Sequence, residues 1–190
     1  MGNKSDESSI VDRFKQGEKA AFEELVLKYQ DRIYNLCRHM LGNTSDAEDA
    51  AQDTFIKAYQ KLKDFKPEAS LYTWLYRIAV NTCLDYKKRP FFESLFMKAD
   101  EDEEYMPETA SEDPSPEKLY ESKQLGLALR KSLGKLTLKL RTVLILKEIE
   151  GLSYEEIADI LEVSTGTVKS RISRARDELK KYFKKITEQN

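Results

Sequence analysis

The chain has 190 residues, 35% of them charged, with 32 basic side chains against 34 acidic ones and a net charge of −2. That length makes one domain or two small ones with compact cores. No window approaches the length of a bilayer span and the N-terminus has no signal-peptide apolar core, so a cytoplasmic protein with no membrane insertion of its own is expected. Seven Gly and five Pro are few, and Pro90, Pro107, Pro114 and Pro116 fall in one stretch. The remaining tracts are rich in Ala, Leu, Glu and Lys with no competing β-alternation, which predicts an all-α fold.

Three helices are expected in the N-terminal part. In the first, Phe22, Val26, Tyr29, Ile33, Leu36 and Met40 keep a helical stripe that ends at Gly42-Asn43. The second opens with a capping box, Ser45-x-x-Glu48. It buries Ala47, Ala51, Thr54, Phe55, Ala58 and Leu62, and turns Asp49, Gln52, Asp53 and Lys57 outward. A loop from Lys63 to Ala69 leads to the third helix, which starts near Ser70 and is stopped by Pro90.

In that third helix Leu71, Leu75, Ile78, Ala79 and Thr82 form a sufficient inward stripe, leaving Tyr72, Trp74, Tyr76, Arg77 and Asn81 on the remaining surface. Aromatic rings beside an Arg and an amide suit stacking on and hydrogen bonding to unpaired bases. Trp74 serves a core equally well, and the sequence leaves both readings open. Cys37 and Cys83 lie inside helical patterns and read as buried reduced thiols. His39 stands two residues from Cys37, but such positions diverge on a helix and no further ligand is near. Neither a zinc site, nor a disulfide, nor any cofactor is expected.

Residues 91–116 change character. Asp100 to Glu104 is a solid acidic block, and the run from Met106 to Pro116 has no helical period. Between positions 93 and 113 there are nine acids and one base, Lys98, as in a flexible tether. Such charge either keeps a tether extended or occupies a channel built for nucleic acid; the two look alike in sequence. Beyond it, Leu125, Leu129, Leu133 and Leu136 mark one helix and Leu140 to Ile149 another.

The last two helices carry the strongest local signal. Ser153 and Glu156 form a capping box, and Ile157, Ala158, Ile160 and Leu161 give the helix one apolar side before a joint at Glu162-Val163. In the helix that follows, Val168, Ile172, Ala175 and Leu179 point inward. Ser170, Ser173 and Arg174 lie opposite that stripe, where base edges would meet them, while Lys169, Arg171 and Arg176 flank it for phosphates. Residues 165–185 hold eight Lys or Arg against Asp177 and Glu178, a local segregation of charge that points to a DNA-binding helix-turn-helix.

The segments Asp46–Tyr59, Tyr72–Asn81, Gly151–Ala158 and Gly166–Arg176, in this order and with this linker, closely resemble bacterial RNA polymerase sigma factors of the extracytoplasmic-function subfamily, most like the sigma-E type. The resemblance implies two small helical domains, a region 2 bundle at 8–90 and a region 4 helix-turn-helix domain at 117–186, joined by a flexible acidic linker at 91–116. It implies a dissociable subunit that directs promoter-specific initiation without catalysis of its own, commonly controlled by an anti-sigma factor that can hold it at a membrane. The expected partners are core RNA polymerase, through the clamp helices of its largest subunit and the flap of the second-largest, and promoter DNA. By the same resemblance Asp49, Gln52, Asp53 and Phe55 meet the polymerase; Lys63, Phe65, Lys66, Tyr72, Trp74, Arg77 and Asn81 meet the −10 element. Lys147, Thr165, Thr167, Lys169, Ser170, Arg171, Ser173, Arg174 and Arg176 meet the −35 element.

Three positions depart from the family's pattern. Thr137 stands where a Pro is usual at the start of a region 4 helix, Glu162 where a Gly is common in the joint, and Ser173 where sigma-E-type chains carry a bulkier residue. The first blurs a helix start, the second alters turn geometry and the third shifts −35 preference. A stand-alone helix-turn-helix regulator shares the C-terminal features but has no need of an acidic docking helix followed by an aromatic single-strand surface. An enzyme finds no phosphate loop, nucleophile motif or clustered His, Cys and carboxylate.

Overall fold

The computed structural model describes residues 4–66, 70–88 and 116–188. The expected linker at 91–116, the stop at Pro90 and part of the loop before the third predicted helix fall outside those residues, except for Pro116 itself. Eight α-helices are present among them: α1 (Lys4–Lys15), α2 (Ala20–Leu41), α3 (Thr44–Lys61), α4 (Leu71–Lys87), α5 (Pro116–Lys135), α6 (Leu138–Leu144), α7 (Tyr154–Leu161) and α8 (Thr165–Thr187). A 3₁₀ turn, Leu62–Asp64, extends α3, and a π turn, Ile145–Ile149, extends α6. No strand occurs among the described residues.

Helices α1–α4 form one bundle and α5–α8 a second, with α7 resting on α4 and the π turn touching α2. The first bundle holds four helices where the periodicity predicts three. Helix α1 has a thin apolar stripe, but Ile10, Val11 and Phe14 are all buried, and Phe14, Phe22 and Tyr59 pack as a triangle with centroids 5.0–5.8 Å apart. Three such side chains are worth roughly 1.5–3 kcal/mol each when buried, enough to dock a short helix of low intrinsic propensity.

The start of α3 differs from the expected Ser45 box. Gly42 caps α2 in the left-handed region at φ 87°. That reversal places Asn43 in extended geometry, where its Oδ1 accepts from the Asp46 N–H at 2.7 Å. Asn43 is therefore the N-cap and Ser45 an exposed first-turn residue. Helix α4 starts where expected, with the Thr73 N–H donating to Ser70 Oγ at 3.0 Å. Cys37 and Cys83 are both fully buried and unbridged, facing each other between α2 and α4 closely enough for a thiol hydrogen bond that raises the Cys83 pKa.

In the second bundle Leu125 and Leu129, expected inside, are about half exposed; Ala128 and Ser132 are the buried positions of α5. Small residues there let α5 approach α8 closely. Thr137 caps α6 without a side-chain bond. The junction is fixed instead by Arg141, buried, whose guanidinium donates to the carbonyls of Leu133 at 2.8 Å, Gly134 at 2.7 Å and Leu136 at 3.1 Å. A cation thus supplies the definition that a proline would have given, by satisfying carbonyls at a helix C-terminus.

Candidate nucleic-acid and polymerase interfaces

The helix-turn-helix forms as its residues dictate. The Glu156 N–H donates to Ser153 Oγ at 3.1 Å and the Ser153 N–H to Glu156 Oε2 at 2.8 Å, closing the capping box. Glu162 ends α7 at φ 53°, ψ 47°, the only positive-φ residue other than Gly among those described. Ser164 then caps α8, accepting from the Thr167 N–H at 3.2 Å. Val168, Ile172 and Ala175 are buried and Leu179 partly so, which turns the opposite face of α8 to solvent.

On that face Lys169, Ser170, Ser173 and Arg174 are exposed, Thr165, Thr167 and Arg171 partly so. Ser170 donates to the Thr167 carbonyl at 3.0 Å, leaving its oxygen lone pairs outward. Two candidate phosphate contacts are tied up internally. Lys147 donates to the Leu152 carbonyl at 2.9 Å and lies 5.0 Å from the Tyr154 ring centroid, with Lys169 5.7 Å from the same ring. Tyr154 therefore gathers one cation from the π turn and one from α8 by cation–π attraction. Arg176 donates twice to Glu148 Oε1, at 3.0 and 2.6 Å, in an exposed pair that solvent screens.

On α3, Asp49 and Gln52 are exposed as expected. Asp53 is not simply outward: its Oδ2 accepts from Tyr86 Oη at 2.9 Å, pinning α3 to α4. Lys57, also expected outward, donates to Thr82 Oγ1 at 3.0 Å, and Phe55 is half-buried. Ile56 and Tyr59, about half exposed, continue the Asp49–Gln52 face at helical spacing.

The candidate single-strand surface is divided. Lys63, Lys66 and Asn81 are exposed and Tyr72 and Trp74 half-buried, whereas Phe65 is buried with its ring edge-on to Trp74 at 5.3 Å and its carbonyl accepting from Lys15 at 2.7 Å. Tyr76, expected on the surface, is fully buried; its ring lies 4.2 Å from Tyr72 and its hydroxyl donates to Glu150 Oε2 at 2.8 Å. Arg77 reaches the second bundle, donating to Glu162 Oε1 at 2.8 Å and to the Asp159 carbonyl at 2.6 Å. Burial pushes up the pKa of both Glu150 and Tyr76, and it pushes that of His39 down, whose Nδ1 stands 4.0 Å from the other Glu150 oxygen.

Residues 25–90 match the Sigma-70 region 2 family and residues 126–179 the Sigma-70, region 4 family. The RNA polymerase sigma-H factor of Pseudomonas aeruginosa is 38% identical over 186 residues, covering 95% of each chain. The ECF RNA polymerase sigma factor SigW of Bacillus subtilis is 37% identical over 179 residues, 93% of this chain and 96% of the relative. The chain belongs to the ECF RNA polymerase sigma factors. Two solved structures share the arrangement of this sigma factor. CnrH in complex with the cytosolic domain of CnrY has a TM-score of 0.66 at 28% identity, covering 92% of this chain and 95% of that one. The sigma factor RpoE in complex with the anti-sigma factor NepR from Bartonella quintana has 0.64 at 25%, covering 86% and 96%.

Sequence reasoning about this sigma factor missed Glu150 and Glu162 as contact residues between its two bundles. Only the departure at Glu162 from a common Gly offered a signal.

Proposed function

We propose that this ECF sigma factor docks on core RNA polymerase through the exposed face of α3 and reads a promoter with both bundles: the −35 duplex with α8 and the unpaired −10 strand with α4 and the loop before it. The observation that carries the reading is the solvent face of α8, where Lys169, Ser170, Ser173 and Arg174 stand exposed on a capped, rigid helix while its apolar stripe is buried. Short polar side chains beside one long cation suit base edges in the major groove. Docking uses Asp49 and Gln52 with Ile56 and Tyr59 as the apolar part of the same face. Capture of a −10 base falls to Trp74, Asn81 and the exposed Lys63 and Lys66. An extruded base costs a few kcal/mol of unstacking, which stacking on Trp74 offsets. The closed arrangement shared with the complexes of CnrH and RpoE supports control by an anti-sigma factor, and such a partner would account for any membrane tethering.

The test is transcription by the purified chain with core RNA polymerase on a promoter library, followed by sequencing of the RNA. Discrete starts sharing −35 and −10 elements are expected. Duplex binding without polymerase-dependent starts would refute the sigma role and favour a stand-alone regulator.

A further inference from the structure

Helix α4 is buried on more than the side that faces its own bundle. Helix α7 and the π turn cover Tyr76 completely, Tyr72 in part, and engage Arg77. The cover is fastened at two points: Tyr76 to Glu150, beside His39, and Arg77 to Glu162 and the Asp159 carbonyl. Glu162 needs a separate explanation, because it holds a left-handed backbone that Gly adopts without strain. The cap itself does not use the side chain: the Glu162 N–H donates to the Ala158 carbonyl, which any residue would do. What the carboxylate adds is its contact with Arg77.

We propose that the free chain masks its own single-strand reading face, with Glu162 and Glu150 of the second bundle clasping Arg77 and Tyr76 of α4, and that separating the bundles uncovers it. In the closed form the outer face of α3 and the DNA face of α8 stay exposed, so both docking surfaces remain available while Arg77 is occupied. Order follows from this: polymerase and duplex engage first, and the −10 face opens as they pull the bundles apart. The clasp is built to release. Arg77 and Glu162 are both accessible to solvent, with side chains 33% and 69% exposed, and Glu150 regains hydration when the bundles part. The functional consequence rests on the assignment of α4 to the −10 strand; the clasp does not.

Two measurements on the full chain separate them. Nitroxides at Gln60→Cys on α3 and Lys180→Cys on α8, with the buried Cys37 and Cys83 left unlabelled, report the separation of the bundles by pulsed dipolar spectroscopy. Glu162→Gly, which relaxes the backbone while removing the carboxylate, is expected to shift the open population about two- to fivefold, and Glu150→Ala in addition to shift it further. Arg77→Glu with Glu162→Arg is expected to restore closure, which lost packing alone would not do. Affinity of the uncombined protein for random-sequence single-stranded DNA rises with the open population. A wild-type chain already broadly distributed, or a Glu162→Gly chain with unchanged distances, overturns the clasp. Opening without a gain in single-strand affinity leaves the clasp standing and removes α4 from −10 reading.

Discussion

Replacing Arg141 with Met is expected to destabilise the second bundle by about 2–4 kcal/mol. The guanidinium is 6% exposed and donates to three main-chain carbonyls at the end of α5 and the entry to α6. A hydrogen bond from a charged donor contributes about 1.5–3 kcal/mol, and a buried carbonyl left without a partner loses about 1–3 kcal/mol. Against this stands the guanidinium's own desolvation, which holds its pKa down to about 10 and which the Met variant relieves. Removing one member of a buried polar network generally costs more than it relieves, so the loss dominates. The single Trp, Trp74, lies in the first bundle, so its fluorescence follows that bundle while helical dichroism follows both. In urea the variant should lose part of its dichroism at a lower midpoint than its fluorescence, and −35 duplex binding should fail over the same range. Lysine at this position offers one donor group in place of a fork and should fall between. Coincident transitions at the wild-type midpoint would refute the reasoning.

Arg174→Ala should weaken promoter binding by about 1–3 kcal/mol and relax preference at a single −35 position, whereas equal loss on every sequence would make Arg174 a phosphate contact. Glu148→Gln frees Arg176 from its exposed pair and should steepen the salt dependence of duplex binding; an unchanged slope would show that Arg176 never meets a phosphate. Tyr86→Phe removes the bond to Asp53 and should cost about 1 kcal/mol of stability with polymerase affinity intact, while Asp53→Arg should lose both. A drop in affinity for Tyr86→Phe would mean that the pinned geometry, not the charge of Asp53, is what the polymerase reads. Burial, and secondarily Arg141 across the contact between bundles, holds the Lys87 pKa at about 6 against an ordinary 10.5. The unfolded chain therefore binds more protons between those values, so stability rises with pH through that window and the full deficit is present below about 6. Lys87→Met should raise the melting temperature at pH 7 and narrow its advantage towards pH 10; a constant difference would exclude the titration.

The helix-turn-helix was legible because its information is local. A Ser and a Glu three apart make the capping box, and Val168, Ile172 and Ala175 recur with the helix, so neighbours in sequence are the partners in space. Helix α1 was not, since Ile10, Val11 and Phe14 read as an apolar stripe only once Phe22 and Tyr59 are there to receive them. Ser45 and Asn43 are both competent caps, and the choice was made by the left-handed Gly42 immediately before. Tyr76 shows a deeper ambiguity. An aromatic surplus on one helix looks the same whether it awaits a base or another domain, and its true neighbour, Glu150, lies 74 residues away. Lys147 and Arg176 were likewise assigned to phosphates because a sequence cannot show the carbonyl of Leu152 or the carboxylate of Glu148 beside them.

The π turn sets the phase of everything that follows α6. The Glu150 N–H bonds the Ile145 carbonyl five residues back, at 3.1 Å, so the helix carries one residue more than an α-helical turn would hold. One residue is about 100° of rotation about the axis. Glu148 and Glu150 owe their directions, one towards Arg176 and the other towards Tyr76, to that added increment. No substitution restores such a rotation once it is gone. The spacing between Ile145 and Gly151 is thus constrained as a length, independently of which side chains fill it, and relatives can drift in residue identity there far more readily than in residue number.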